Sequence, residues 1–166
     1  MKKLILLLPL ILAASCYHCG SLMHPQVQSI AIAPVVNETA AYNLASEMRM
    51  ALSEQFMTDG SLTVRDLNTA DCILNARVIE VTYIEISDDS YDSDVIYRPT
   101  EWRVTVTMEF KVIIPGNREP LVSTRTVTGD SMFQVQADLA TNQHQATLRA
   151  CANAAKAAVV ATTEAW

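Results

Sequence analysis

Between Trp102 and Ile114 the chain alternates without a break. Trp102, Val104, Val106, Met108, Phe110, Val112 and Ile114 fall on one side, and Arg103, Thr105, Thr107, Glu109, Lys111 and Ile113 on the other. Successive side chains of a strand point to opposite faces, so this stretch is a long strand with one dry side and one wet side. Burying the seven residues of the dry side contributes roughly 10–20 kcal/mol gross, at ~1.5–3 kcal/mol each, before chain entropy is subtracted. Such a strand needs neighbours in a sheet and a cover over its apolar face.

The rest of the chain supplies both. Residues 27–35 (VQSIAIAPV) read as a strand with Ile30 and Ile32 on one face and Pro34 ending it. Asn37, Glu38 and Thr39 offer capping side chains, and a helix is expected over residues 40–58. Its apolar stripe is Leu44, Met48, Ala51, Leu52 and Phe56, with Glu47, Arg49, Glu54 and Gln55 mostly off it and Gly60 as the stop. A short strand at 62–65 and a polar turn at 66–71 lead into a long strand at 72–86. There Cys72, Leu74, Ala76 and Val78 share one parity, whereas Ile79, Val81 and Tyr83 take the other, which signals a bulge or a change of environment.

After the alternating strand, residues 115–120 contain Gly116 and Asn117 and turn the chain into a final strand at 121–133. Pairing Ile114 near Pro120 would set Glu109 opposite Arg125 and Lys111 opposite Ser123, leaving Arg103, Lys111 and Arg125 together on the wet face. An Ala-rich helix over 138–162, with Leu148, Cys151, Ala155 and Val159 along one side, closes the chain. The order βαβ(β)ββα, with helices segregated from strands, defines an α+β fold. Its sheet is mainly antiparallel or mixed, has four to five strands, and packs against two helices.

The N-terminus reads as an address rather than as part of this fold. Lys2 and Lys3 precede an apolar run over residues 4–14, the layout of a secretory signal. The run is too short for a span, which needs ~20 residues. Ala13, Ala14 and Ser15 then lead into Cys16, similar to a bacterial lipobox with Ala13 in place of the usual Leu. Three segments follow: a lipoprotein signal at 1–15, a lipidated N-terminus and short tether at 16–26, and a single domain at 27–166. The alternative is an ordinary secreted protein cut after Ser15. Lipidation at Cys16 would add diacylglycerol and an N-acyl chain. Each buried methylene is worth ~0.8 kcal/mol, so two or three chains anchor the protein firmly. Tyr17, rather than Asp, after the cysteine favours the outer membrane.

Net charge is −6 for the full chain. Cleavage removes Lys2 and Lys3 but no acidic residue, taking the charge to −8. An acidic body lacks the clustered Lys and Arg that displace counterions from phosphate, so nucleic acid is not an expected partner. Cys19, Cys72 and Cys151 would permit one disulfide in an oxidising compartment, in a pairing the sequence leaves open. Cys16 and Cys19 form a C-x-x-C pattern, but with no second ligand pair it is not a metal site.

The acidic run from Asp88 to Asp94 fails as an EF-hand, since Ser93 and Pro99 stand where Gly and Glu are required. His18 and His24 lie in the tether and His144 early in the last helix. The chain has no G-x-S-x-G, H-E-x-x-H or phosphate-cradling glycine loop. Neither an enzyme nor a cofactor-binding or metal-binding protein is expected.

The ordered set resembles a known family, the lipopolysaccharide-assembly lipoproteins LptE. Cys16-Tyr17-His18-Cys19-Gly20 is similar to a Cys-Gly-Tyr-His opening. Residues 27–37 resemble that family's first strand, residues 44–60 its first helix, residues 62–74 the approach to a long strand, and residues 97–114 its Thr- and Val-rich strand. The helix ending at Trp166 is similar to its close. The departures are Tyr17 after the cysteine and the acidic loop.

The resemblance implies an outer-membrane lipoprotein that plugs and helps assemble the LptD β-barrel and assists lipopolysaccharide insertion. It would face the periplasm or sit inside the barrel. Lipopolysaccharide is anionic, so contact would fall to local cations: Arg103, Lys111 and Arg125, with Arg98 and Arg118 at the strand ends. The plain alternative for these side chains is ordinary cross-strand pairing with Glu109 and its neighbours. The alternative for the whole chain is a lipoprotein regulator of a peptidoglycan synthase, similar to LpoB, whose reach through the wall needs a longer tether.

Overall fold

The three long strands expected from alternation lie side by side in a single mixed sheet. The structure, a computed structural model, describes residues 26–86, 101–134 and 138–164. The signal, Cys16, Cys19, His18, His24, the acidic run and Arg98 lie outside the described residues. In chain order the elements are β1 (Ser29–Ile32), β2 (Val36–Asn37), α1 (Leu44–Asp59), β3 (Thr63–Val64), β4 (Cys72–Ile86), β5 (Glu101–Ile113), β6 (Val122–Gln134) and α2 (Leu139–Thr163). The sheet runs β3-β1-β4-β5-β6, with β2 also on β4. Its β1, β2 and β3 pairings are parallel, whereas β4-β5-β6 is an antiparallel meander. Six strands are present rather than four or five, because the first expected strand is split into β1 and the two-residue β2.

The single strand expected at 27–35 is divided. Pro34 has no N–H to give to β4, so pairing stops at Ala33, whose N–H reaches Leu74 O (3.0 Å), and resumes at β2. The first helix begins at Leu44 rather than at residue 40. Asn37 Oδ1 accepts from Thr39 N and Oγ1 (3.0 and 2.7 Å) and Asn37 Nδ2 donates to Ala41 O (2.7 Å), so these polar side chains close a turn instead of capping a helix. Gly60 ends the helix as expected, at φ 72° with its N–H on Phe56 O.

The register of β4 on β5 shifts between Val78 and Glu80. This bulge returns Val81 and Tyr83 to the face of Leu74 and Val78, which explains the change of parity. On β5, Val104, Val106, Met108, Phe110 and Val112 are buried, and Trp102 and Ile114 are half-buried at the ends. Over that face α1 covers β1, β3 and β4, α2 covers β5 and β6, and the helices touch each other. Close approach of α2 depends on small residues. A Cβ at Gly129 would fall on Ala150 O and Ala154 N, and Ala150, Ala154, Ala155 and Ala158 are fully buried. Cys151 and Val159 are buried as expected, but Leu148 is only half-buried.

Candidate functional site

The sheet face away from the helices carries the charged positions of β4 and β5. Its organising residue is Arg77, whose Nε donates to Glu109 Oε1 (2.9 Å) and whose NH1 reaches Glu38 Oε1 (3.1 Å). Glu109 and Glu38 raise the Arg77 pKa further, so the guanidinium is permanently charged. Thus Glu109 has a partner, but on β4 rather than on β6.

The register expected for β5 and β6 is corrected here. Val112 faces Val122, then the pairing shifts, so that Phe110 faces Arg125 and Glu109 faces Thr126. Directly opposed residues share a face. Arg125 therefore belongs to the side of Phe110 and the helices, where its NH1 donates to Ala161 O (3.4 Å) near the end of α2. It does not join Arg103 and Lys111. Those two are separated by eight residues of one strand, about 27 Å at ~3.4 Å per residue. Arg103 stands between Ile84 and Met132, 58% and 44% exposed, with a long 3.9 Å contact to Asp130. Lys111 is exposed opposite Asn75 and has no ion pair among the described residues. Arg118 is exposed in the turn before β6. The open face thus holds two separated cations and a paired centre, not a three-cation cluster.

A second feature escaped the periodicity. Between the lead-in to α1 and the first turns of α2 lies an open cleft of ≈ 670 Å³, walled by Tyr42, Leu44, Val81 and Tyr83. Tyr83 Oη and Thr147 Oγ1 share a hydrogen bond of 3.2 Å at its floor. Glu47, read from sequence as off the apolar stripe, lines this cleft with its side chain only 10% exposed, 3.8 Å from His144 Nε2. A carboxylate one step off a stripe gives no sequence signal of burial. Only the packing of α2 on α1 encloses it.

Cys72 and Cys151 are buried free thiols, not bonded to each other. Burial, with Asp71 beside the first and Glu47 near the second, pushes both up to about 12. Among the described residues no three His, Cys, Asp or Glu side chains are grouped to hold a metal, and no helix is long and apolar enough to cross a membrane.

A mixed sheet covered on one face by two helices is a fold that this chain shares with small bacterial proteins of known structure, lipoproteins among them. The fold matches a minor lipoprotein from Acinetobacter baumannii at TM-score 0.52 and 12% identity, covering 80% of this chain and 90% of that one. It matches a PelC dodecamer from Paraburkholderia phytofirmans at TM-score 0.52 and 14% identity, over 87% and 95%. A lipoprotein structure from Caulobacter crescentus matches at TM-score 0.50 and 14% identity, over 79% and 88%. Among curated protein sequences none matches. The model of the LptE lipopolysaccharide-assembly family matches residues 27–159, and the chain belongs to that family. Its members are non-catalytic assembly lipoproteins.

Proposed function

We propose that this chain is an outer-membrane lipoprotein, acylated at Cys16, that plugs and helps assemble an LptD-like β-barrel and assists lipopolysaccharide insertion into the outer leaflet. The family match across residues 27–159 carries this reading. The fold is compatible with it: one sheet face is sealed by helices and the other presents Thr, Arg, Lys and Glu side chains suited to a polar barrel lumen.

Affinity capture of the intact protein from solubilised outer membranes, followed by mass spectrometry, tests the partnership. A large outer-membrane barrel is the expected companion. Recovery of a peptidoglycan synthase instead would overturn the reading in favour of the LpoB-like alternative.

Within that function, Arg103 and Lys111 on the open face, and Arg125 on the helix side, are the proposed contacts for lipopolysaccharide phosphates. Because they are far apart, they act as separate points along an extended ligand. Reversing all three to Glu is expected to weaken binding to purified lipopolysaccharide about tenfold or more, as each lost phosphate contact removes a charge-assisted hydrogen bond of ~1.5–3 kcal/mol before solvent screening. Unchanged binding in a folded triple variant would leave these residues with structural roles only.

A further inference from the structure

The cleft between the two helix beginnings contains a buried acid whose one basic neighbour is a long contact to a histidine. Glu47 N–H donates to Asn43 O (3.3 Å), but its carboxylate accepts no hydrogen bond among the described residues, and its nearest basic group, His144 Nε2 at 3.8 Å, is beyond hydrogen-bond reach. No Lys or Arg lines the cleft. Glu47 lies in the first turn of α1, where the positive helix end favours an anion, so the carboxylate is tolerated in the free protein. Its side chain nevertheless lines an open cleft with room for a cationic donor. A desolvated carboxylate without donors is costly, and a guanidinium can satisfy it with two parallel N–H bonds.

The surroundings match the remainder of such a ligand. The Thr147 hydroxyl donates to Gln143 O (2.8 Å) and accepts from Tyr83, and both hydroxyl oxygens keep acceptor capacity in the same cleft lining. Leu44 and Val81 give an apolar wall for a methylene stem. Tyr42, 96% exposed at the lip, offers a ring face to a cation or to the peptide beside it. A volume of ≈ 670 Å³ has room for the backbone flanking one side chain as well as for the side chain itself. We propose that this cleft receives an arginine side chain of a partner polypeptide, with Glu47 as its counter-ion and Tyr42 against the flanking chain. His144, 55% exposed, stands at the edge as the group that the arginine displaces from Glu47.

The test is a nuclear magnetic resonance titration of the full mature chain with acetyl-Gly-Arg-Gly-amide and with its neutral citrulline counterpart. The arginine peptide is expected to bind in the millimolar range and to move amide signals confined to residues 41–47 and 143–147. The citrulline peptide should bind at least tenfold more weakly. Glu47→Gln is expected to lose the same tenfold, while His144→Gln keeps or improves binding. Agmatine, a free guanidinium without a peptide backbone, should bind more weakly than the arginine peptide.

Equal binding of arginine and citrulline peptides, shifts spread over the acidic surface, or undiminished binding by Glu47→Gln would overturn the proposal. Agmatine binding as tightly as the peptide would overturn its polypeptide part. The arginine–citrulline comparison uses the unsubstituted chain, so it decides the matter even if Glu47→Gln fails to fold. Loss of barrel capture with this binding intact would sink the proposed function while leaving the cleft assignment standing.

Discussion

Asp71, the residue before β4, accepts three hydrogen bonds on one oxygen: from Gln28 N (3.1 Å), Ser29 N (2.9 Å) and Ser29 Oγ (2.7 Å). Ser29 Oγ in turn accepts from Asp71 N (3.0 Å), so the start of β1 is clasped to the start of β4. The Ser29 hydroxyl first, then the Gln28 amide, holds the carboxyl below its ordinary 3.8. A depressed acid stabilises the fold above its unfolded pKa, and that contribution disappears as pH falls through the folded value. Asp71→Asn is therefore expected to lower the melting temperature at pH 7 and to flatten its decline below about pH 4. Circular dichroism melts from pH 7 to 2.5 would show it, and parallel curves for the two proteins would count against the clasp. The buried thiols belong to the same scale. With Cys72 and Cys151 pushed up to about 12, almost no thiolate exists at pH 8. In a Cys16→Ala/Cys19→Ala variant, a thiol-reactive dye should label neither until denaturant is added.

Among elements, the contact of β6 with α2 is the most exacting. Gly129 is where the helix backbone comes down on the sheet, and an added methyl would meet Ala150 O and Ala154 N, neither of which can swing away. Gly129→Ala is expected to cost about 3 kcal/mol, the upper end for overpacking, read as a lower midpoint in urea at unchanged slope. Loss of less than about 0.5 kcal/mol would mean that α2 lifts freely. Alternation is a local property, so the faces of β4 and β5 were legible from the chain alone, as were the bulge near Ile79 and the Gly60 stop. Register across a hairpin is not local. One shift between Phe110 and Val112 moved Arg125 from the open face to the helix face, while the pairing of β5 with β4 set Glu109 opposite Arg77. The partner of Glu109 lies on a strand separated from it by 32 positions, and no pattern within either strand announces that pairing. Glu47 was hidden for a related reason: its burial comes from a second helix far along the chain.

At the scale of the whole molecule, the question is what holds this domain at a membrane. Among the described residues no helix can span one. With residues 1–15 removed, as proposed, the chain would carry −8, so anionic lipid surfaces would repel it over a Debye length of about 8 Å in physiological salt. Residues 16–26 extended reach about 35–40 Å, enough to let the domain enter a partner beside the membrane but not to cross a thick wall. On the proposed function, anchoring comes from acyl chains on Cys16, at ~0.8 kcal/mol per buried methylene, or from the partner barrel. Expression without the barrel separates the two. The lipidated chain is expected to stay in the membrane pellet through a high-salt wash, because apolar burial is not screened by ions. Cys16→Ala, exported behind an ordinary cleaved signal so that residues 1–15 cannot themselves anchor it, should move to the soluble fraction. Co-expression of the barrel should return the variant to the membrane, since the proposed function places barrel docking in the folded domain rather than in the lipid. A variant that remained in the pellet without barrel or signal would show that the folded body binds lipid despite its charge, and Cys16 would lose its assigned role.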